Sequence, residues 1–321
     1  MRSISEAKFI LPKAVLLFFC GLILPICSDV LGQSSANGGS FLPLGHGAKV
    51  FGQGGSSIVL LKDDTATYWN PAKLPYLSDR GMTIAHSNLI SGVKIGYSSL
   101  SFGTAFGSKV PASVWVPSQP DDPKRHAIGF FYSHLGLELS QGSTWSENIL
   151  GVSYGVALNN YVTLGTSLKL LGSSSKWANA MGASIDFGFY SVLKERVDFA
   201  VVCKDGISYI SWDTGAEDKL PITTTIGIAY LYSKSVVGEL NLILQDTLVS
   251  EYSLGGSANI AGDMVQLRGG VNLFLQGEKR VVPVSGFGVI YKTISLDYGV
   301  HFDSRNVFGN VHSFSLTVAF R

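Results

Sequence analysis

Segment after segment of about ten residues alternates apolar with small or polar side chains, and this period of two limits the chain to strands. In HSFSLTVAF, residues His312, Phe314, Leu316, Val318 and Phe320 share one face, and Ser313, Ser315, Thr317 and Ala319 share the other. The same division separates Val162, Leu164, Thr166, Leu168 and Leu170 from Thr163, Gly165, Ser167 and Lys169. It recurs in Met181–Phe189 and in Ile294–Phe302. Successive side chains of a strand point to opposite faces, so each segment has an apolar face and a small or polar one. A single such strand also suits a soluble sandwich. About fourteen in succession, near 80–90, 93–103, 126–137, 147–158, 161–172, 179–192, 196–205, 222–233, 235–246, 251–261, 264–274, 283–292, 293–302 and 312–320, ask for a more specific solution.

The N-terminus supplies it. Arg2, Lys8 and Lys13 precede the uncharged apolar run Ala14–Ile26, and small residues follow to Gly32. That order reads as a secretory signal peptide over 1–32. Phe19 before Cys20 and Ile26 before Cys27 do not fit a lipoprotein signal, which needs a small residue there. The rest is apolar for an exported chain, with 15% charged residues in the whole sequence and 37 glycines, and it has no stretch of the ~18 apolar residues a membrane helix requires. Backbone polar groups in lipid must be paired internally, so helices or a closed barrel are the choices. The fold class expected is therefore all-β: a transmembrane antiparallel barrel of about fourteen strands over 80–321, in the cell outer membrane.

Connections of two lengths agree with this. Asn159-Asn160, Leu193–Glu195, Ser233-Lys234, Gly262-Asp263 and Lys292-Thr293 are tight, and between them lie longer links at 138–146, 173–178, 206–221, 247–250, 275–282 and 303–311. Short turns belong on the periplasmic side and longer loops outside. The link 104–125 breaks the rule, being long where a short turn is expected. Phe320, in the last strand, suits the aromatic close that barrel-assembly machinery reads, with Arg321 after it.

Removing Arg2, Lys8 and Lys13 together with Glu6 and Asp29 from 24 basic and 23 acidic residues leaves 21 of each. A neutral chain has no basic excess for nucleic acid. Cys203 is then the lone cysteine, read as a small side chain in a strand. No phosphate loop, zinc-binding histidine pair or nucleophile elbow occurs, so no catalytic residue, metal or cofactor is expected.

Residues 33–79 lack the alternation. After a flexible Ser/Gly/Asn leader they carry Gly47-Ala48-Lys49, Gly52-x-Gly54-Gly55, Asp63-Asp64-x-Ala66, Tyr68-Trp69-Asn70-Pro71-Ala72 and Leu74. Downstream stand Leu267-Arg268-Gly269-Gly270, Gly286-Phe287-Gly288 and Leu296-Asp297-Tyr298. These resemble the PorV/PorQ family, grouped with the FadL-like fourteen-stranded outer-membrane proteins. Lys49 and Lys73 depart from the Arg and Gly usual in that family.

The residues themselves suit a hatch folded into the barrel mouth. Gly52, Gly54 and Gly55 allow sharp turns through positive φ. Asn70-Pro71 fits a turn or the start of a helix, with Pro71 in its first turn. Asp63 and Asp64 are expected to cap that start or to pair with wall cations. Tyr68 and Trp69 complete the motif. Lys169, Asp186, Glu239, Arg268 and Asp297 fall on inward positions and are expected to be solvated in the lumen. The resemblance implies a role beside type IX secretion or in outer-membrane cargo handling. Its FadL-like side implies the alternative, a conduit for hydrophobic small molecules. The partners expected are outer-membrane lipid, the barrel-assembly machinery, and either secretion-system proteins or a hydrophobic ligand. An apolar cavity touching Tyr68 and Trp69 would favour the conduit.

Overall fold

A computed structural model describes residues 45–55, 57–78, 80–88, 95–107, 125–138, 144–194, 196–276, 279–302 and 310–320. The expected signal peptide, the leader before residue 45 and most of the 104–125 link lie outside the described residues.

The strands are β1 (Arg80–Asn88), β2 (Ile95–Gly107), β3 (Arg125–Glu138), β4 (Thr144–Ala157), β5 (Val162–Ser175), β6 (Asn179–Lys194) and β7 (Val197–Trp212). They continue as β8 (Glu217–Asp218), β9 (Thr223–Leu231), β10 (Val236–Gln245), β11 (Leu248–Ile260), β12 (Val265–Phe274), β13 (Arg280–Tyr291), β14 (Ile294–His301) and β15 (Val311–Phe320). β8 is a two-residue pairing on β7. The other fourteen join antiparallel in chain order, β7 pairs with β9, and β1 pairs with β15 to close a barrel. Closure leaves each of the fourteen with two neighbours in the barrel wall.

The outside is apolar. Ile84, Leu100, Tyr132, Leu150 and Leu170 are in register across β1–β5 and all exposed. On β5, Leu168 is 52% exposed, whereas Ser167 and Lys169 on either side are 1% exposed. Among the described residues no helix is long and apolar enough to cross a membrane. A closed sheet that turns its apolar face outward is what lipid demands.

Several links expected to be long are strand instead. β7 continues to Trp212, so much of 206–221 is paired, and β5 and β6 extend to within three residues of each other around 176–178. The 247–250 link is a tight turn at Asp246-Thr247, both with positive φ. Two-residue hairpins need that backbone to match the twist of their strands.

Inside the wall lie two short helices, α1 (Ala48–Phe51) and α2 (Ala66–Trp69), and a 3-10 turn over Pro71–Tyr76. Inward glycines in register make room for them. Gly81, Gly103 and Gly129 pair side by side across β1–β3, and Gly155, Gly165 and Gly188 do so across β4–β6. A Cβ on Gly165 would fall on the carbonyl carbon of Pro71, and one on Gly188 would lie 2.5 Å from Asn70 Oδ1. The wall is thus thinned where the segment lies against it.

Candidate luminal site

Short helices leave carbonyl oxygens and N–H groups without intrahelical partners. The hydroxyls of the inner wall meet them. Ser153 Oγ donates to the Thr67 carbonyl at 2.7 Å, Thr163 Oγ1 to the Ala72 carbonyl at 2.7 Å, and Ser253 Oγ to the Gly54 carbonyl at 3.1 Å. Ala48 N–H donates to Ser315 Oγ at 3.2 Å. His301 Nε2 bonds the Phe51 carbonyl at 2.8 Å, and its ring stacks on that of Phe51.

Glu239 is the densest anchor. Oε1 accepts from the Ile58 and Val59 amides, at 2.7 and 2.9 Å. Oε2 accepts from Ser57 Oγ and the Leu60 amide, at 2.6 and 3.1 Å. Four donors replace the water lost by a carboxylate that is 3% exposed.

The aspartates find partners other than wall cations, which corrects that expectation. Asp63 pairs with Lys49 of the same segment at 2.9 Å and accepts from both the amide and the hydroxyl of Thr65. Asp64 accepts from the wall hydroxyls of Thr83 and Ser101, at 2.8 and 2.6 Å. Burial, and then the charge of Asp63, push the Asp64 carboxyl up to about 7.

Asn70 caps the 3-10 turn. Its Oδ1 accepts from the Ala72 amide at 3.0 Å, its Nδ2 donates to the Ile58 carbonyl at 2.9 Å, and Pro71 opens the turn. Gly54 and Gly55 do adopt positive φ. Gly52 does not: its φ is −72°, and its need for glycine is closeness, since a Cβ would lie 2.9 Å from Gly286 Cα.

The five inward residues do point into the lumen, but they are not solvated. Lys169, Asp186, Glu239, Arg268 and Asp297 are each 6% exposed or less. Packed side chains surround them, so four of the charges are paired with an opposite charge and the fifth, Glu239, with hydrogen-bond donors. Lys169 Nζ bridges Asp186 at 2.7 Å and Asp205 at 2.6 Å, and Arg268 pairs with Asp297.

Tyr68 and Trp69 on α2 pack into one cluster with Tyr97, Phe131, Leu135, Ile149, Leu171 and Ile210 of β2–β7. His46 stacks on Tyr68 with ring centroids 4.3 Å apart, and Phe131 meets both rings edge-on. Burial, with Lys204 nearby, brings the His46 imidazole down to about 3, so it is neutral. The opposite side, on β10–β12 and β15, is polar: Asn241, Ser253, Asn272, Ser313 and Ser315 are buried there. No sequence motif marks His46, Lys204, Asp205 or His301 as site residues. Only the charges of Lys204-Asp205 inside an apolar strand gave a signal.

A fourteen-stranded antiparallel barrel, apolar outside and holding residues 45–55 and 57–78 in its lumen, defines an outer-membrane barrel protein. Solved structures share this fold. The P. putida toluene transporter TodX superposes with a TM-score of 0.62 at 12% identity, over 87% of this chain and 99% of that one. The CymD monoaromatic hydrocarbon channel gives 0.62 at 12% identity, over 87% and 98%. A Pseudomonas aeruginosa FadL homologue gives 0.50 at 11%, over 85% and 98%. At such identities the likeness is one of fold. No family model matches the chain, and no curated protein does. The finer PorV/PorQ resemblance therefore gains no support from these comparisons.

Proposed function

We propose that the protein is an outer-membrane conduit for hydrophobic small molecules. The observation that carries the reading is the apolar cluster in which Tyr97, Phe131, Leu135, Ile149, Leu171 and Ile210 of β2–β7 meet Tyr68 and Trp69 of the hatch segment. Sites for apolar solutes are lined mainly by such side chains, with polar groups among them. The similar folds of proteins named as a toluene transporter and a monoaromatic hydrocarbon channel support the same reading. A secretion role would need outer surface for protein, and among the described residues the links at 176–178 and 246–247 are short turns.

The test is to purify the protein from outer membrane and identify by mass spectrometry what travels with it, for the native chain and for Phe131→Asp. An apolar compound bound to the native protein and lost from the variant is the expected result. Co-purifying secretion or cargo proteins, with no apolar compound, would refute the conduit and favour the secretion reading.

A further inference from the structure

β6 and β7 lose register midway: the single residue Asp186 lies opposite the three residues Lys204, Asp205 and Gly206. Two extra residues leave the inward and outward faces of the strand unchanged on either side. The bulge is therefore not needed to bury the strand's apolar face. Bulges re-aim side chains, and this one is held in an expensive backbone. Asp205 has φ 58°, and its amide donates to Asp186 Oδ1 at 2.8 Å. Its own carboxylate takes Lys169 at 2.6 Å and Ser184 Oγ at 2.7 Å.

What the bulge turns inward is Asp205, which strict alternation would point outward; Lys204 before it, in register with Thr223 of β9, keeps its inward place. Its ammonium lies 3.8 Å from the ring centroid of Tyr68 and 4.6 Å from that of Trp69, the last two residues of α2. Among the described residues no carboxylate is within ion-pairing distance of it; the cation that pairs with Asp186 and Asp205 is Lys169. The groups that face it are Asp186, Asp205 and Lys169 from the wall and His46 from the hatch segment. The cation's close partners are thus two aromatic faces, both on the segment that fills the lumen.

We propose that Lys204 is a latch: its ammonium, seated over Tyr68 and Trp69, holds α2 against the wall. Moving the helix strips the cation of its partners, so the hatch is tied to the wall at this point. The proposal rests on the conduit reading, in which α2 must shift for a solute to pass.

Single-channel recording in planar bilayers tests it on the full mature chain, with folding checked by heat-modifiable gel mobility. Lys204→Met keeps the aliphatic stem and removes the charge, and should raise open probability about tenfold or more. Lys204→Arg keeps a cation over the rings and should stay closed like the native protein. Glu239→Ala loosens the segment at a separate anchor and serves as the reference. If Glu239→Ala conducts and Lys204→Met does not, the latch is wrong and the conduit stands. Silence from both overturns both. Equal opening in the Met and Arg variants overturns the latch, since the cation is then immaterial. If Lys204→Met does not reach the folded mobility, Lys204→Gln is scored by the same outcomes.

Discussion

Glu239 is one side chain on which three consecutive amides depend. Removing it takes the shared acceptor from the amides of Ile58, Val59 and Leu60. A hydrogen bond to a charged group contributes about 1.5–3 kcal/mol, so local opening of 58–60 should become about ten- to a hundredfold more frequent in Glu239→Ala. Hydrogen exchange followed by mass spectrometry reads this directly. Faster exchange at 58–60, with the strand amides of β10 and β11 unchanged, is expected. Unchanged protection at 58–60 would show that the segment does not rely on this anchor. Glu239→Gln keeps one acceptor oxygen and should fall between the two. The same scale separates Asp64 from Asp63. Asp64 is held by neutral hydroxyls, so Asp64→Asn should keep most of the stability that Asp64→Ala loses, as measured by thermal unfolding in detergent.

At the scale of elements, the glycines along the inner wall set how close the segment can lie. Gly165→Ala places a methyl on the backbone of Pro71, which cannot yield without moving the 3-10 turn, and should cost about 1–3 kcal/mol. Gly172, seven residues along the same strand, has nothing within 4 Å of the added carbon, and Gly172→Ala should change stability by no more than about 0.5 kcal/mol. The temperature at which heat-modifiable mobility is lost would show the difference, and equal midpoints would contradict the close packing. The strands themselves were legible because alternation is a local property: β5, β10 and β15 fall within a few residues of the segments read from HSFSLTVAF and its counterparts. The segment read over 196–205 falls short of β7, which runs to Trp212. The strand continues because Asp186 and Lys169, from two other strands, satisfy what the bulge buries. The inward serines and threonines were read only as a small, polar face. Their work as donors to Thr67, Ala72 and Gly54 depends on a segment nearly a hundred or more residues away, which no local pattern encodes.

The whole molecule has two surroundings separated by a single sheet, and neighbouring residues can therefore obey opposite rules. Leu168 and Lys169 are adjacent midway along β5: the first faces lipid, and the second is buried in the lumen between Asp186 and Asp205. A lysine on the lipid face near the membrane centre costs about 2–4 kcal/mol, since nothing there can solvate its ammonium. Leu168→Lys should therefore destabilise the barrel by that amount, although the wild-type chain tolerates a lysine at the very next position. Lys169→Met makes the converse change. It puts an apolar side chain in the lumen and leaves two buried aspartates without their shared cation, a loss of about 3–5 kcal/mol for a broken buried pair. Both variants should unfold at lower urea concentration than the native protein in lipid vesicles, followed by tryptophan fluorescence. Raising ionic strength should leave the Leu168→Lys deficit unchanged, because lipid excludes salt from that face. If Leu168→Lys is as stable as the native chain, position 168 does not face hydrocarbon, and the placement of this wall in the membrane is wrong. If Lys169→Met is neutral, the lumen admits enough water to solvate both carboxylates, and the packed interior described here opens more readily than its hydrogen bonds imply.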